Sequence, residues 1–317
     1  MSYVTVLTQV GILFGMMAVG FVAGKFKIFT EKATKDLSSL LLYVATPAMV
    51  INSMIREYDG NLIVDAMLCL GIGIAVFVFG MATSLALSKA LKIKKERRSI
   101  WVIAASFTNP GFMGFPVALA IFGKDGLFLA AFINLAQNLV LYTWGEALMA
   151  KTCEGHVGPG GEVLKKEPLW RTLLSPMNIA AVIGLVIFFF EIPIFGPVHT
   201  VIETIGGLVT PLSMMIVGIT ISKKSLIEVV KDKDAFTSVI FHMILIPLLL
   251  LGVLKLIPFR EGSIVPAISV LLMTMPIASM TQIFAENYDA DPQFASHAVF
   301  ISNTLCLVTC PLIMMLV

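Results

Sequence analysis

Thr108-Asn109-Pro110-Gly111-Phe112-Met113-Gly114-Phe115-Pro116 lies at the middle of an uncharged run, residues 99–123. Two prolines and two glycines in nine residues do not pass unnoticed inside an apolar helix. Proline has no N–H to donate and its ring crowds the preceding turn; in hydrocarbon the freed backbone groups need partners from elsewhere in the protein. A helix entering the bilayer here is expected to unwind at its middle and resume as a second half-helix. The resumed half presents unpaired N–H groups and the positive end of its dipole at mid-membrane, which suits a carboxylate.

That run is one of ten stretches free of Asp, Glu, Lys and Arg: 2–24, 37–55, 66–88, 99–123, 126–145, 172–190, 204–222, 235–254, 262–285 and 292–317. Roughly 20 residues of helix cross about 30 Å of hydrocarbon. The composition agrees, with 58% hydrophobic and 13% charged residues and a mean hydropathy of +0.94, whereas soluble domains carry about 25% charge. The chain is therefore expected to be an all-α membrane protein with ten transmembrane helices. With the N-terminus outside, 18 of the 22 Lys and Arg residues fall in inner loops, leaving Arg56, Lys124, Lys255 and Arg260 outside. The excess of positive charge on the inner side then directs both termini outward. The first stretch lacks a basic leader and a small-residue cleavage site, so a retained helix is expected. No basic patch with interleaved aromatics points to nucleic acid. Cys69, Cys153, Cys306 and Cys310 have no metal-ligand spacing, and no paired acids or nucleophile with a base are visible, so neither a metal, a cofactor nor an enzyme is expected.

The longest polar connection, residues 151–171, divides the chain into residues 1–150 and 172–317, with five stretches each. The two sets echo each other at nearly one offset. Thr46-Pro47 recurs as Thr210-Pro211, 164 residues later. Thr108-x-Pro110 recurs as Thr274-x-Pro276 and Asp125-x-x-Phe128 as Asp291-x-x-Phe294, both 166 residues later. Five is an odd number, so the second set enters the membrane upside down, as in the inverted repeats of secondary transporters. The ninth stretch is then expected to break, more gently, at Thr274-Met275-Pro276.

Candidate substrate-binding residues follow from these breaks. They are Thr108, Asn109, Pro110, Gly111, Met113 and Gly114 at the first, and Thr274 and Pro276 at the second. Asn134, Gln137 and Asn138 on the fifth stretch, and Ser302, Asn303 and Thr304 on the tenth, supply polar groups from the sides. Thr46, ahead of Pro47, either lines the path or serves a kink. His297, one turn into the tenth stretch, is the candidate for a coupling proton. Asp125 and Asp291 read as helix caps, Asp291 with Pro292 behind it. Asp65 and Glu146 stand at stretch ends, where solvated or capping roles are expected. Asn178 is expected to lie away from the site.

These motifs resemble the auxin efflux carrier family, which includes bacterial malonate and malate carriers and the plant PIN proteins. The resemblance runs over the chain apart from 151–171. It is carried by Leu41-Leu42-x-x-x-Thr46-Pro47-Ala48, by Asn109-x-Gly111-Phe112-x-Gly114-x-Pro116, by Gln137 with Tyr142-Thr143, and by Phe284-Ala285, Tyr288, Pro292 and Ser296-x-Ala298-Val299. It implies a fold like that of sodium/proton antiporters and bile-acid symporters, with broken helices 4 and 9 crossing. It also implies a scaffold of helices 1, 2, 6 and 7 beside a mobile core of 3–5 and 8–10, and a homodimer through helices 2 and 7. Plant members carry Asn-Pro-Asn where this chain has Asn109-Pro110-Gly111, and their long central loop is replaced here by 151–171. Both departures favour a compact bacterial carrier over an auxin carrier.

The function expected is alternating-access transport of a small mono- or dicarboxylate across the cytoplasmic membrane, by an elevator motion of core against scaffold. A sodium-coupled organic-anion symporter of the bile-acid type is the nearest alternative, but no Asp or Glu lies near either break. A transport-like sensor is a further alternative; such proteins usually add a soluble output domain, and none is expected from this sequence.

Overall fold

The computed structural model describes residues 3–152, 175–222, 229, 232–288 and 290–317, and the regular elements among them are helices. We label them α1 (Tyr3–Lys25), α2 (Glu31–Met54), α3 (Gly60–Ala90) and α4 (Lys95–Ser106). The stretch Pro110–Met149 is interrupted at Gly123, whose φ of 67° and ψ of −156° are not helical, and it gives α5 (110–122) and α6 (124–152). Then follow α7 (Pro176–Phe189), α8 (Gly196–Ser222), α9 (Lys233–Leu254), α10 (Val265–Met273), α11 (Met280–Asn287) and α12 (Pro292–Met314). Six helical stretches among the described residues are long and apolar enough to cross a membrane: α2, α3, Pro110–Met149, α8, α9 and α12. Gly11–Lys25 within α1 and α7 are shorter apolar helices. The connection expected over 151–171 lies outside the described residues beyond its first two positions.

Local sequence explains the ends and irregularities. Thr30, Asp59, Ser175, Asp232 and Asp291 each accept a backbone N–H in the first turn of α2, α3, α7, α9 and α12, which satisfies donors that the helix itself leaves unpaired. Asp291 caps α12 by accepting from Phe294 N at 2.9 Å, with Pro292 behind it, as the sequence implies. Asp125 does otherwise: it pairs with Arg56 at the end of α2. Proline widens the helix ahead of it at three places; the turn Pro110–Gly114 ahead of Pro116 opens α5, and the other two lie inside continuous helices. Leu41–Ala45 ahead of Pro47 and Phe241–Leu245 ahead of Pro247 each form one wide turn, because proline cannot donate to the ordinary acceptor. Thr46 sends both its N–H and its hydroxyl (2.8 Å) to Leu41 O, so its polar groups serve the widened turn of α2.

Packing sorts the helices into two groups. α1, α2, α7 and α8 lie mainly against one another, and α3 to α6 lie mainly with α9 to α12. The α1–α8 seam is close: a Cβ at Gly20 would strike the backbone of Met215, and one at Gly218 the carbonyl of Met17. Without a hydrophobic drive between helices in lipid, such close backbone approach supplies the association through dispersion. The second group is joined at its charged rims. Arg97 at the start of α4 contacts Asp232 (3.2 Å), Asp234 (3.1 Å) and Asp291 (2.6 Å), and its guanidinium lies over the Phe294 ring. Burial works against the Arg97 charge, but the Asp291 hydrogen bond and the three carboxylates outweigh it and raise its pKa above the ordinary value. At the opposite rim Arg260 meets Asp65 at 3.1 Å.

Candidate functional site

Both expected breaks are non-helical, and the two segments meet. α4 ends at Ser106 and α10 at Met273; between each and the next half-helix the chain is extended or bent. Thr108 pairs with Ile277 in an antiparallel bridge. Asn109 N donates to Pro276 O at 2.8 Å and Ala278 N to Phe107 O at 2.9 Å. Each unwound segment therefore satisfies the backbone groups that the other has freed, which is what a low-dielectric interior demands.

Side chains complete the crossing. Gln137 on α6 clamps the Thr108 peptide, donating from Nε2 to its carbonyl (2.9 Å) and accepting at Oε1 from its N–H (3.2 Å). Thr108 Oγ1 donates to Leu272 O at 2.8 Å. Ser302 on α12 accepts from Ile277 N at 3.1 Å. Thr274 turns its hydroxyl back to Leu271 O, and Cys306 Sγ approaches Thr274 O. Gly114 leaves room for Leu272, which a Cβ there would meet at 2.8 Å, and Met113 is buried in the core. Thr108, Gln137, Thr274, Pro276, Met113, Gly114 and Ser302 thus build the crossing itself. Gln137 spends its amide on the Thr108 backbone, and the Thr108 hydroxyl goes to Leu272 O, so in this structure the polar groups of both serve the crossing.

What faces outward from the crossing is narrower. Asn109, 7% exposed, caps α5 by accepting from Phe112 N (3.4 Å), and its Nδ2 donates to Ser279 Oγ at 2.8 Å. The amide of Gly111 finds no acceptor among the described residues. Asn109 and Ser279 stand at the starts of α5 and α11, so two positive half-helix ends converge there. Opposite them lie Met177 of α7, whose methyl would be 3.3 Å from a Cβ at Gly111, and Leu42 of α2. Asn134 Nδ2 donates to Met177 Sδ (3.0 Å) and Asn138 Nδ2 to Asn178 Oδ1 (3.2 Å). Asn178 was expected away from the site; α7 begins at Pro176, which brings Asn178 level with Asn138. Ser279 and Met177 were not singled out from the sequence. Ser279 carried a signal, a hydroxyl residue at the start of the second half-helix; Met177 carried none.

Besides Asp125, three ionisable residues depart from expectation; Asp65, expected to be solvated or capping, is 6% exposed and pairs with Arg260. His297 does not reach the crossing: its Nδ1 lies 3.2 Å from Asp232 Oδ2, in the rim network around Arg97. One turn into α12 is still rim, because the crossing packs against Ser302, further along. Glu146, expected to be solvated or capping, is 3% exposed and accepts from the Tyr288 hydroxyl at 3.2 Å. Asn303 and Thr304 lie past Ser302, the latter donating to Phe300 O.

Six helical stretches long and apolar enough to cross a membrane, around a polar centre of unwound backbone, fit a multi-pass membrane protein. The profile of the membrane transport protein family matches residues 5–159 and 161–314, and the chain belongs to that family, the auxin efflux carrier family. It is similar to an uncharacterized transporter of Methanothermobacter thermautotrophicus, 25% identical over 94% of this chain and 93% of the relative. A second uncharacterized transporter, of Methanocaldococcus jannaschii, is 24% identical over 92% of each. A Rhizobium meliloti protein provisionally named as a malonate transporter is 21% identical over 93% of this chain and 91% of the relative.

Proposed function

We propose that the protein is a secondary carrier that moves a small mono- or dicarboxylate across the cell membrane by alternating access of elevator type. The observation that carries the reading is the convergence of two positive half-helix ends on Asn109 and Ser279, beside the unpaired Gly111 amide. Backbone donors and a dipole end suit a carboxylate, and dicarboxylate transport is what the name of the Rhizobium meliloti relative describes. In this reading the ten spans are α1, α2, α3, α4 with α5, α6, α7, α8, α9, α10 with α11, and α12. They form inverted halves over 1–150 and 172–317, joined by an inner loop, 151–171. The core of α3 to α6 and α9 to α12 slides along a scaffold of α1, α2, α7 and α8, a division that the packing supports. Lipid surrounds the bundle, with a second copy of the chain along α2 and α8. The substrate sits between Asn109, Gly111, Ser279, Asn134 and Asn138 on the core and Leu42, Met177 and Asn178 on the scaffold.

The test is exchange of labelled acetate, lactate, malonate, succinate and malate by the purified protein in liposomes. The expected outcome is counterflow of at least one of them. Exchange of none, by protein that is folded and correctly oriented, refutes the reading.

A further inference from the structure

The crossing has a second pole. The C-terminal ends of α4 and α10 lie on the side away from Asn109, and the carbonyls of a last helical turn have no partners within the helix and carry about half a negative charge. Among the described residues one imidazole stands between them. His242, in the widened turn Phe241–Leu245 of α9, is 1% exposed, and its Nε2 lies 3.1 Å from Met275 O, just past α10. Its Nδ1 is buried and finds no hydrogen-bond partner among the described residues; the carbonyl of Ala105, the penultimate residue of α4, is the other backbone acceptor near the ring.

We infer that His242 is the proton-binding residue of the transport cycle, its added proton bridging the C-terminal ends of the two half-helices; this rests on the carrier reading above. A neutral imidazole has one N–H and an imidazolium has two. With Nε2 donating to Met275 O, the neutral ring turns a lone pair toward Ala105 O. A proton on Nδ1 replaces that repulsion with a second donor, and one cation then serves both negative helix ends. Among the described residues of the helices packed against it, no other charged side chain reaches this place. The charged residues of α4 are Lys95 to Arg98, at least seven positions before Ala105 and so about two turns away. On α9 itself the charged residues, Lys233 and Asp234, stand at its start, with Lys255 just past its end. α10 carries none. α12 carries His297, already paired with Asp232, and the thiols of Cys306 and Cys310.

The two poles are filled by opposite charges, an anion at Asn109 and Ser279 and a proton at His242. Each favours the other in a medium of low dielectric, so carboxylate and proton travel in the same direction. The widened turn gives a reason for the placement: it rotates the helix ahead of Pro247 and turns the ring inward.

The test uses the full chain in liposomes with malonate as the probe, alongside His242→Gln and His297→Gln. Glutamine at 242 keeps an amide donor for Met275 O but does not titrate. A gradient with the interior alkaline should speed malonate uptake at least fivefold in the wild type and in His297→Gln. In His242→Gln the acceleration should vanish while counterflow persists. Nitrogen-15 spectra of labelled histidine, assigned by the signal lost in His242→Gln, should show the ring gaining its second proton between pH 4.5 and 8, at a higher pH with malonate bound. Overturning results are a wild type that exchanges malonate without responding to the gradient, a His242→Gln that responds as the wild type does, or a ring that stays singly protonated throughout with and without malonate. If His242→Gln does not fold, the wild-type gradient response and ring titration, with the signal assigned by labelling instead, decide. Failure of the carrier reading is seen separately, as absence of carboxylate counterflow in the wild type.

Discussion

Asn109 uses both ends of its amide, the oxygen to cap α5 and the nitrogen to hold Ser279 across the crossing. Those ends are separable by substitution. Asn109→Asp keeps an oxygen for the Phe112 N–H, since aspartate caps a helix as well as asparagine does. It removes the donor and sets a negative charge where the carboxylate docks. The thermal midpoint should therefore change little while affinity falls at least tenfold. A charge-assisted hydrogen bond contributes about 1.5–3 kcal/mol, or roughly 10- to 150-fold, and Asn109→Ala should lose that much affinity and some stability with it. Equilibrium binding of the transported acid, paired with thermal unfolding in detergent, checks both; wild-type affinity in Asn109→Asp would move the substrate elsewhere. The sequence pointed to Asn109 because a polar amide beside Pro110 has few structural reasons to be in hydrocarbon. It did not tell Asn109 from Thr108 or Gln137, because the Gln137 clamp and the Asn138–Asn178 pair join residues 29 and 40 positions apart, with no local trace of the pairing.

At the scale of helices, the breaks were legible because proline and glycine in an uncharged run leave the backbone few alternatives. The offset of 166 residues then pointed to the second break, where Thr274-x-Pro276 alone would have been weak. Where the helices touch was less legible. Proline at 47 reads as a kink or a path-lining position and emerges as a widened turn, as does proline at 247, which was not singled out from the sequence. The seam of α1 and α8 rests on glycines that stand among many others in a sequence with 24 of them. Gly218→Leu should push these helices apart, because the new side chain meets backbone that cannot rotate away. Overpacking costs about 1–3 kcal/mol, and this case belongs at the upper end. Gly71→Leu, where a Cβ meets nothing within 4 Å, is the control. A lower thermal midpoint for the first and an unchanged one for the second are expected; equal midpoints would mean that the seam contributes nothing.

For the molecule as a whole, the arrangement of charge is the strongest constraint. Arg97, Asp232, Asp234, Asp291 and His297 gather at one rim, and Asp65 and Arg260 at the other; which rim faces the cell interior is what the lysine and arginine count proposes. In a cysteine-free background, cysteines at Asn61 and Glu261 should react with an impermeant thiol reagent on intact cells, while one at Gly160 should not. Glu261 is preferred to its neighbour Gly262, whose φ of 79° disfavours a side chain. Reaction at Gly160 alone would invert the topology. The pairing of Thr108 with Ile277 also bears on how the chain is made. These partners are 169 residues apart in the sequence, which at about 5–20 residues per second is roughly ten to thirty seconds of synthesis. Through that interval the first half waits in the membrane with its unwound backbone lacking the second, exposed to quality-control proteases and to any factor that shields it.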